Sequence, residues 1–478
     1  MNTCFLVPPV VAGNLPAERS SGCTHVVYAT PNIYELQVAA CVEKAGHSVR
    51  YRDCINHKED ITSLLHHEQN DPADVYFMWL VNLSVQNDIE ITRQIHSVLP
   101  NAWVVLLGPG AGYFYKECLV DEKTIVVHGE PERTVTELLD KIEKKESLEE
   151  TAGISYLQAG ELKRTKMREL MKDLDELPIP ARHLVQDITY RNPKLKVTPY
   201  TTMVTSRNCP FRCIYCVPSS LTFAREIEYK QHFNRKPPIA FRSVEKVAEE
   251  IALLAKEGVR AIGFMDDNFI WNEQRTAAIC QSLREHGIVW GCQARVDAIT
   301  EPIAEMLGNS NCGYIDLGVE SFDDKILEYI HKGITSAQIY SAIELLQKYK
   351  VPVKLNILIG TCPLETKQTI RETIRKAKKL HVDQLMINIV SPFPGTEFYK
   401  MALTNGWLKN GVYVPTDVQR NSILDYPHLS AHEMEKMLFW SNLTYFLSPA
   451  FIWKQLKRFR SWKDFTHALK TLKTKILG

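Results

Sequence analysis

Three cysteines stand in one short run, Ser206-Arg-Asn-Cys209-Pro-Phe-Arg-Cys213-Ile-Tyr-Cys216. Thiolates are the usual protein ligands of iron–sulfur clusters, and three at this spacing can wrap one face of a cubane from a single loop. A [4Fe–4S] cluster has one iron more than the loop serves. That open iron can chelate the amino and carboxylate groups of S-adenosylmethionine, and an electron delivered there cleaves the sulfonium to a 5′-deoxyadenosyl radical. The protein then supplies position and exclusion of water, and the cofactor supplies the reactivity. Zinc is the competing reading, but a structural zinc closes a tetrahedron of ligands, and no second Cys pair or His pair lies nearby at zinc spacing. The other cysteines (Cys4, Cys23, Cys41, Cys54, Cys118, Cys280, Cys292, Cys312 and Cys362) are scattered, mostly in apolar runs. They read as small buried hydrophobes and, in a reducing compartment, not as disulfides.

A ligand loop has to be held by a rigid frame. From Tyr200 the chain alternates, with strands expected at 200–206, 261–266, 288–293, 314–319, 352–359 and 384–390. Helices are expected between and after them at 243–257, 272–286, 300–310, 335–349 and 366–380. Such units predict a partial (β/α)6 barrel, whose active face is the carboxyl ends of its strands. The cysteine loop follows the first strand. Asp266, Asp267, Arg295, Glu320 and Ser321 also fall just past strand ends. Taken singly, Glu320 reads equally as a solvated carboxylate and Asp266-Asp267 as a helix cap. Their shared position makes them candidate site residues.

The N-terminal part alternates as well. Short apolar runs at 4–7, 75–80, 103–107 and 125–128, and an alternating run at 48–53, are separated by helical patterns at 34–45, 89–99 and 134–142. This predicts a doubly wound, Rossmann-like α/β sheet, which binds ligands at the carboxyl ends of its strands. Two glycine turns lie there, Gly108-Pro-Gly110-Ala-Gly112 and Gly129-Glu130-Pro-Glu132. A nicotinamide site is disfavoured, because Pro8-Pro9 rather than Gly-x-Gly-x-x-Gly follows the first strand. Residues 146–195 read as a linker, with a short hairpin around 154–157 and Gly160, and with prolines at 178, 180 and 193 that rule out a long helix.

Composition is that of a globular chain, and a net charge of +1 names no partner. The charge is unevenly placed: residues 449–478 carry eight Lys/Arg and one Asp, +7, so the remainder carries −6. Phe451, Trp453, Phe459, Trp462 and Phe465 are interleaved with those bases. One reading is a helix packed on the barrel with a solvated basic face; the other is contact with an anionic membrane surface. Helices are expected at 434–447 and 463–477. No apolar run is long enough to span a bilayer, and the N-terminus reads as a strand rather than a signal peptide. The expectation is a cytoplasmic protein, peripheral at the inner membrane face only on the second reading of the tail.

The cysteine run, with Tyr215 just before the last cysteine, resembles the signature of the radical S-adenosylmethionine (SAM) superfamily. The fuller string Thr205-Ser-Arg-Asn-Cys-Pro-Phe-Arg-Cys213 resembles its cobalamin-binding subfamily. Phe264-Met-Asp-Asp-Asn268, Gln293-Ala-Arg-Val-Asp297, Leu317-Gly-Val-Glu-Ser321 and Ser391-Pro-Phe-Pro-Gly-Thr396 are similar to further family segments. So are Leu358-Ile-Gly360 and Glu365-Thr366, although Cys362-Pro363 departs from the commoner string between them. The resemblance covers almost the whole chain. It implies a cobalamin-binding domain over 1–145, a linker over 146–195, a radical SAM barrel over 196–400 and a helical region over 401–478. It implies a [4Fe–4S] cluster on Cys209, Cys213 and Cys216, and SAM near Tyr215, Asp266, Asp267, Arg295, Glu320 and Ser321. It implies cobalamin near Gly108, Gly110, Gly129 and Glu130. The Asp-x-His-x-x-Gly motif of a lower axial histidine is broken at Asp53-Cys-Ile-Asn-His57, so His57 is expected to face solvent.

The implied reaction is methylation of an unactivated carbon in a small-molecule or lipid-like substrate, with electrons from an external donor of flavodoxin or ferredoxin type. Radical cyclisation or carbon–carbon bond formation is the alternative, as in the family's anaerobic porphyrin-ring cyclase-like branch. A non-catalytic iron–sulfur or cobalamin protein is disfavoured by the intact cysteine loop. No nucleic-acid partner is expected, and no catalytic acid, base or radical-quenching residue is assigned.

Overall fold

The computed structural model describes residues 1–456 apart from 12, 13, 15, 23, 26 and 27. Cys23 and the helix expected at 463–477 lie outside the described residues. The chain forms two compact units: Met1–Pro210 with Val217–Gln293 and Asn309–Gly313, and Phe211–Cys216 with Ala294–Gly308 and Tyr314–Gly478.

The first unit opens with strands β1 (Asn2–Val7), β2 (Ser48–Asp53), β3 (Val75–Trp79), β4 (Trp103–Leu107), β5 (Thr124–Val127), β6 (Ile154–Gln158) and β7 (Glu161–Arg164). They form one sheet of order β2-β1-β3-β4-β5-β6-β7. The first five pair in parallel, and β6 and β7 add an antiparallel edge. The hairpin expected within the linker is thus part of the sheet. Every residue of β3 is buried, as befits a parallel strand covered on both faces. Helix Ile33–Lys44 starts where Asn32 accepts a bond from the N–H of Tyr34, an N-cap.

The glycine run after β4 is not an open turn. Gly108–Tyr113 is a short helix with Pro109 in its first turn. A Cβ on Gly110 would lie 2.8 Å from the backbone of Val81, and one on Gly108, at φ +87°, would lie 2.6 Å from the Leu80 carbonyl oxygen. Only glycine allows backbone to approach backbone this closely.

The same unit continues with β8 (Tyr200–Met203), β9 (Ser206–Arg207), β10 (Ala240–Phe241), β11 (Ala261–Phe264) and β12 (Val289–Ala294). β11 pairs in parallel with both β8 and β12. The strand expected over 200–206 is shorter, because Ser206–Arg207 turns away to pair antiparallel with Ala240–Phe241. Helices Val244–Lys256 and Glu273–Glu285 fall within a residue of expectation. Helix Ser220–Phe233 was not anticipated. Its buried residues include Arg225, Glu226 and Glu228, which an apolar-periodicity reading counts as solvent-facing.

The second unit carries β13 (Cys312–Glu320) from Tyr314 on, β14 (Val353–Ile359) and β15 (Gln384–Ile389), with β14 parallel to both neighbours. Helices Ser336–Lys348 and Lys367–Lys379 follow β13 and β14. Helix Ala431–Phe446 begins three residues before the expected start because Ser430 and Glu433 form a capping box. No helix among the described residues is long and apolar enough to cross a membrane.

Candidate functional site

In the first unit, the turn leading from β8 to Cys209 is held by Asp266, just past β11. Asp266 is 1% exposed. Its carboxylate accepts the Thr205 N–H at 3.1 Å, Thr205 Oγ1 at 2.7 Å and Ser206 Oγ at 2.6 Å. Asp267 accepts the Ser219 N–H and Thr222 Oγ1, on the far flank of the cysteines. Burial pushes both carboxyls upward, Asp267 to about 6, and these donors offset part of that rise. Neither is a helix cap. Their acceptor capacity is engaged by the chain on either side of the cysteine run, so their visible work is positioning. Cys209 is half-buried, and its carbonyl accepts from Lys236 Nζ at 3.4 Å.

The second unit contains Cys213, half-buried, and Cys216, exposed. Their segment is pinned by its backbone: the Ile214 N–H donates to the Ile330 carbonyl at 3.2 Å, and the Ile214 carbonyl accepts from the Phe398 N–H at 3.0 Å. Glu320 ends β13 in the left-handed region, at φ +67°, after a register shift between Gly318 and Glu320. A non-glycine residue rarely adopts that conformation. The bulge turns the Glu320 carboxylate to Lys332, whose Nζ lies 2.8 Å from Oε1 and also donates to Tyr215 Oη at 3.3 Å. Gly318 leaves room for this pair, since a Cβ there would lie 2.8 Å from Glu320 Oε1 and 2.9 Å from Lys332 Nζ. Burial alone would lower the Lys332 ammonium, but Glu320 and the Cys213 thiolate outweigh it and hold its pKa up. Burial, Glu320 and the two neighbouring thiolates keep the Tyr215 hydroxyl far above its usual range.

Arg295 grips Asp297 with two bonds of 2.9 Å, donates to the Lys332 carbonyl at 2.9 Å, and lies 3.4 Å over the Phe211 ring. Ser321 Oγ is 3.2 Å from Thr373 Oγ1 and accepts the Asp323 N–H. Glu365 binds the N–H groups of Gly360 and Thr361 at 2.9 and 2.8 Å, closing the turn after β14.

Tyr215, Glu320 and Arg295 are therefore brought together around Lys332, while Ser321 fastens a turn. Lys332 escaped the reading from sequence. It comes twelve residues after Glu320, three past the end of the short helix Asp324–Tyr329, and no motif marks it. Removing its charge leaves Glu320 buried and unpaired, which costs about 3–5 kcal/mol when one partner of a buried pair is lost. Lys332→Met is expected to lower the thermal midpoint and weaken SAM binding by calorimetry. Parent-like values for both would show that the pair is peripheral.

At the strand ends of the N-terminal sheet, the candidate residues are engaged internally. Helix Gly108–Tyr113 packs on helix Ser220–Phe233, and Trp79 Nε1 donates to Ser220 Oγ at 3.0 Å. A Cβ on Gly129 would sit 3.7 Å from Glu228. Glu130 accepts Arg207 at 2.9 Å and the Met171 N–H at 2.6 Å, and forms an ion pair with Arg225 at 2.9 Å. Arg207 also pairs with Glu132. His57 is half-exposed and lies 3.3 Å from Asp187.

The radical SAM superfamily model matches residues 203–377. An uncharacterised methyltransferase of Pyrococcus horikoshii is 28% identical over 452 residues, covering 91% of this chain and 92% of its own length. The anaerobic magnesium-protoporphyrin IX monomethyl ester cyclase of Cereibacter sphaeroides is 23% identical over 397 residues, covering 80% of this chain and 61% of the cyclase. Among solved structures, the radical SAM methyltransferase TsrM from Kitasatospora setae, with cobalamin and a [4Fe–4S] cluster bound, superposes with a TM-score of 0.62 at 16% identity. That match covers 84% of this chain and 74% of TsrM. The two-sheet α/β architecture is shared with TsrM, and the cysteine run lies inside the segment, residues 203–377, that matches the radical SAM superfamily model.

Proposed function

We propose that this protein is a carbon methyltransferase that uses a [4Fe–4S] cluster, SAM and cobalamin on a small-molecule or lipid-like substrate. The observation that carries it is the Cys-x3-Cys-x2-Cys run, flanked by residues whose charges and bonds are spent on holding it. When bound, the cluster delivers the electron that cleaves SAM, and cobalamin carries a transferable methyl group. Three thiolates from one loop suit a cluster that keeps an iron for a non-protein ligand. Asp266 and Asp267 position the flanks of that loop. Tyr215 and Lys332, which interact with Cys213, form one polar set with Glu320 and Arg295, and we assign this set to orienting SAM. Electrons come from an external donor of flavodoxin or ferredoxin type.

Cobalamin is proposed on the strength of the fold shared with TsrM, with residues 1–145 as its domain. Gly108 and Gly110 are packed against backbone of this chain and Glu130 is bonded within it, so the corrin-gripping role given to them and to Gly129 rests on the resemblance alone. No step is therefore derived through cobalamin from those residues, and no histidine ligand is assigned.

The test is anaerobic. Protein reconstituted with iron and sulfide, then reduced, should release 5′-deoxyadenosine from SAM and retain added cobalamin through gel filtration. Metabolites and lipids of a deletion strain should lack a species one methylene heavier than its accumulating precursor. Fully loaded protein that releases no 5′-deoxyadenosine would sink the proposal. Cyclisation is the second reading, favoured by the likeness to the porphyrin cyclase, and predicts a precursor that differs from the product by lost hydrogen instead.

A further inference from the structure

We infer that the outer face of the second unit is a docking surface for an anionic lipid bilayer, built by two folded helices and not only by the basic 449–478 block, which we also read as a membrane contact. Helix Lys367–Lys379 exposes Lys367, Arg371, Arg375 and Lys379. They are one helical turn apart and so form a single stripe. Lys367 pairs with Glu433, but among the described residues Arg371, Arg375 and Lys379 have no carboxylate partner. A solvated helix face ordinarily mixes both signs of charge; this thirteen-residue helix has six bases and a single acid, Glu372.

Helix Ala431–Phe446 lies beside it. Lys367 meets Glu433 at the start of both helices, and Lys378 Nζ donates to Thr444 Oγ1 at 2.6 Å near the end of both. Its buried residues, Ala431, Met434, Leu438 and Ser441, mark the inner stripe. The opposite stripe should be polar, and it is so at His432 and Lys436. Beyond that it turns apolar, with Phe439 43%, Trp440 52% and Leu447 54% exposed. The following helix, Pro449–Leu456, is held on by Phe451, whose ring lies 5.0 Å from Tyr445 and 5.2 Å from Phe446. It adds exposed Ile452 and Trp453.

Rings and aliphatic side chains beside a row of unpaired cations match a bilayer surface. Aromatic rings sit at the headgroup level, apolar tips enter the acyl boundary, and Lys/Arg meet anionic headgroups. A nucleic acid would use the cations and rings, but it gives Leu447 and Ile452 no partner. The chain then continues through residues 457–478, which hold seven bases and one acid, so charge complementarity favours an anionic surface over a second copy of this positively charged face. The inference is independent of the radical chemistry: the cluster can fail while binding persists, and the reverse.

The experiment is co-sedimentation of the full chain with phosphatidylcholine vesicles, with and without phosphatidylglycerol, at low and high salt. Binding is expected only with phosphatidylglycerol, and should weaken with salt. Because each base near such a surface contributes, the charge-reversed Arg371→Glu/Arg375→Glu/Lys379→Glu variant should bind at least about tenfold more weakly. Phe439→Ser/Trp440→Ser should also bind more weakly while keeping the parent's circular dichroism and melting point. Trp440→Phe should lose part of the fluorescence blue shift seen on adding vesicles, a readout unaffected by changes at the tail. Four results would overturn the inference: equal binding to neutral vesicles, parent-like binding by both multiple variants, binding to RNA but not vesicles, or self-association at these residues without vesicle binding.

Discussion

Cys213→Ala protein, purified and reconstituted without oxygen, is expected to hold no [4Fe–4S] cluster and to release no 5′-deoxyadenosine; the same holds for Cys209→Ala and Cys216→Ala. The loop has no spare thiolate, because a cubane face needs three ligands and each cysteine supplies one. The control is Cys280→Ala. Cys280 is 4% exposed, and burial pushes its thiol up to about 11, so it stays protonated and cannot serve as a thiolate ligand at neutral pH. Its loss should leave iron content, the brown absorbance and turnover near those of the parent, at a small cost in packing. Iron and sulfide assays on the four variants decide the matter. Full iron loading and activity in any of the three loop variants would remove the basis of the proposed function.

Arg207→Ala is expected to be strongly destabilising. Arg207 is 5% exposed on its side chain and pairs with Glu130 and Glu132, themselves 7% and 2% exposed. Removing it leaves two buried carboxylates short of a partner, and breaking such a pair costs about 3–5 kcal/mol. Burial raises the Glu130 carboxyl, but Arg207 and Arg225 outweigh it and hold its pKa below the usual value. A depressed folded pKa contributes stability above the unfolded pKa and loses it as pH falls through the folded one. The deficit of the variant should therefore be largest near neutral pH and shrink below about pH 4.5, where carboxylates protonate in the unfolded chain. Chemical denaturation at neutral and acid pH measures this. A variant as stable as the parent at neutral pH would show that Arg225 alone suffices for both carboxylates.

Arg207 also illustrates where reading the chain as text stops. It lies two residues before Cys209, inside the cysteine segment, where its type and spacing mark it only as one more motif residue. Its role comes from Glu130 and Glu132, more than seventy positions earlier, and from Arg225 on a helix that periodicity did not find. Helix Ser220–Phe233 was hidden because residues 220–228 are buried all round, with Arg225, Glu226 and Glu228 among Leu221, Phe223 and Ile227, so no apolar stripe stands out. Patterns of apolar spacing detect elements with one oily stripe and miss those buried on every side with charged residues among the apolar ones. The strand-end glycines show the same limit. Gly108 and Gly110 look like a ligand cradle in sequence, and in the fold they are where a helix backbone touches the backbone of the neighbouring strand end.

What the amino-acid order determined by itself is local. Cys209, Cys213 and Cys216 lie within eight residues, so their fitness for a cluster is a property of one loop. Strands such as Val353–Ile359 and caps such as Ser430 with Glu433 arise from neighbouring side chains acting on nearby backbone. Tertiary structure alone decided which distant charges meet. Glu320 acquires Lys332 because a bulge at Gly318 turns its carboxylate there, and Asp266 becomes the brace of the turn before the cysteines because β8 and β11 are paired. Side-chain hydrogen bonds reach about three ångströms in any direction, and sequence separation carries no information about which groups the folded chain brings within that reach.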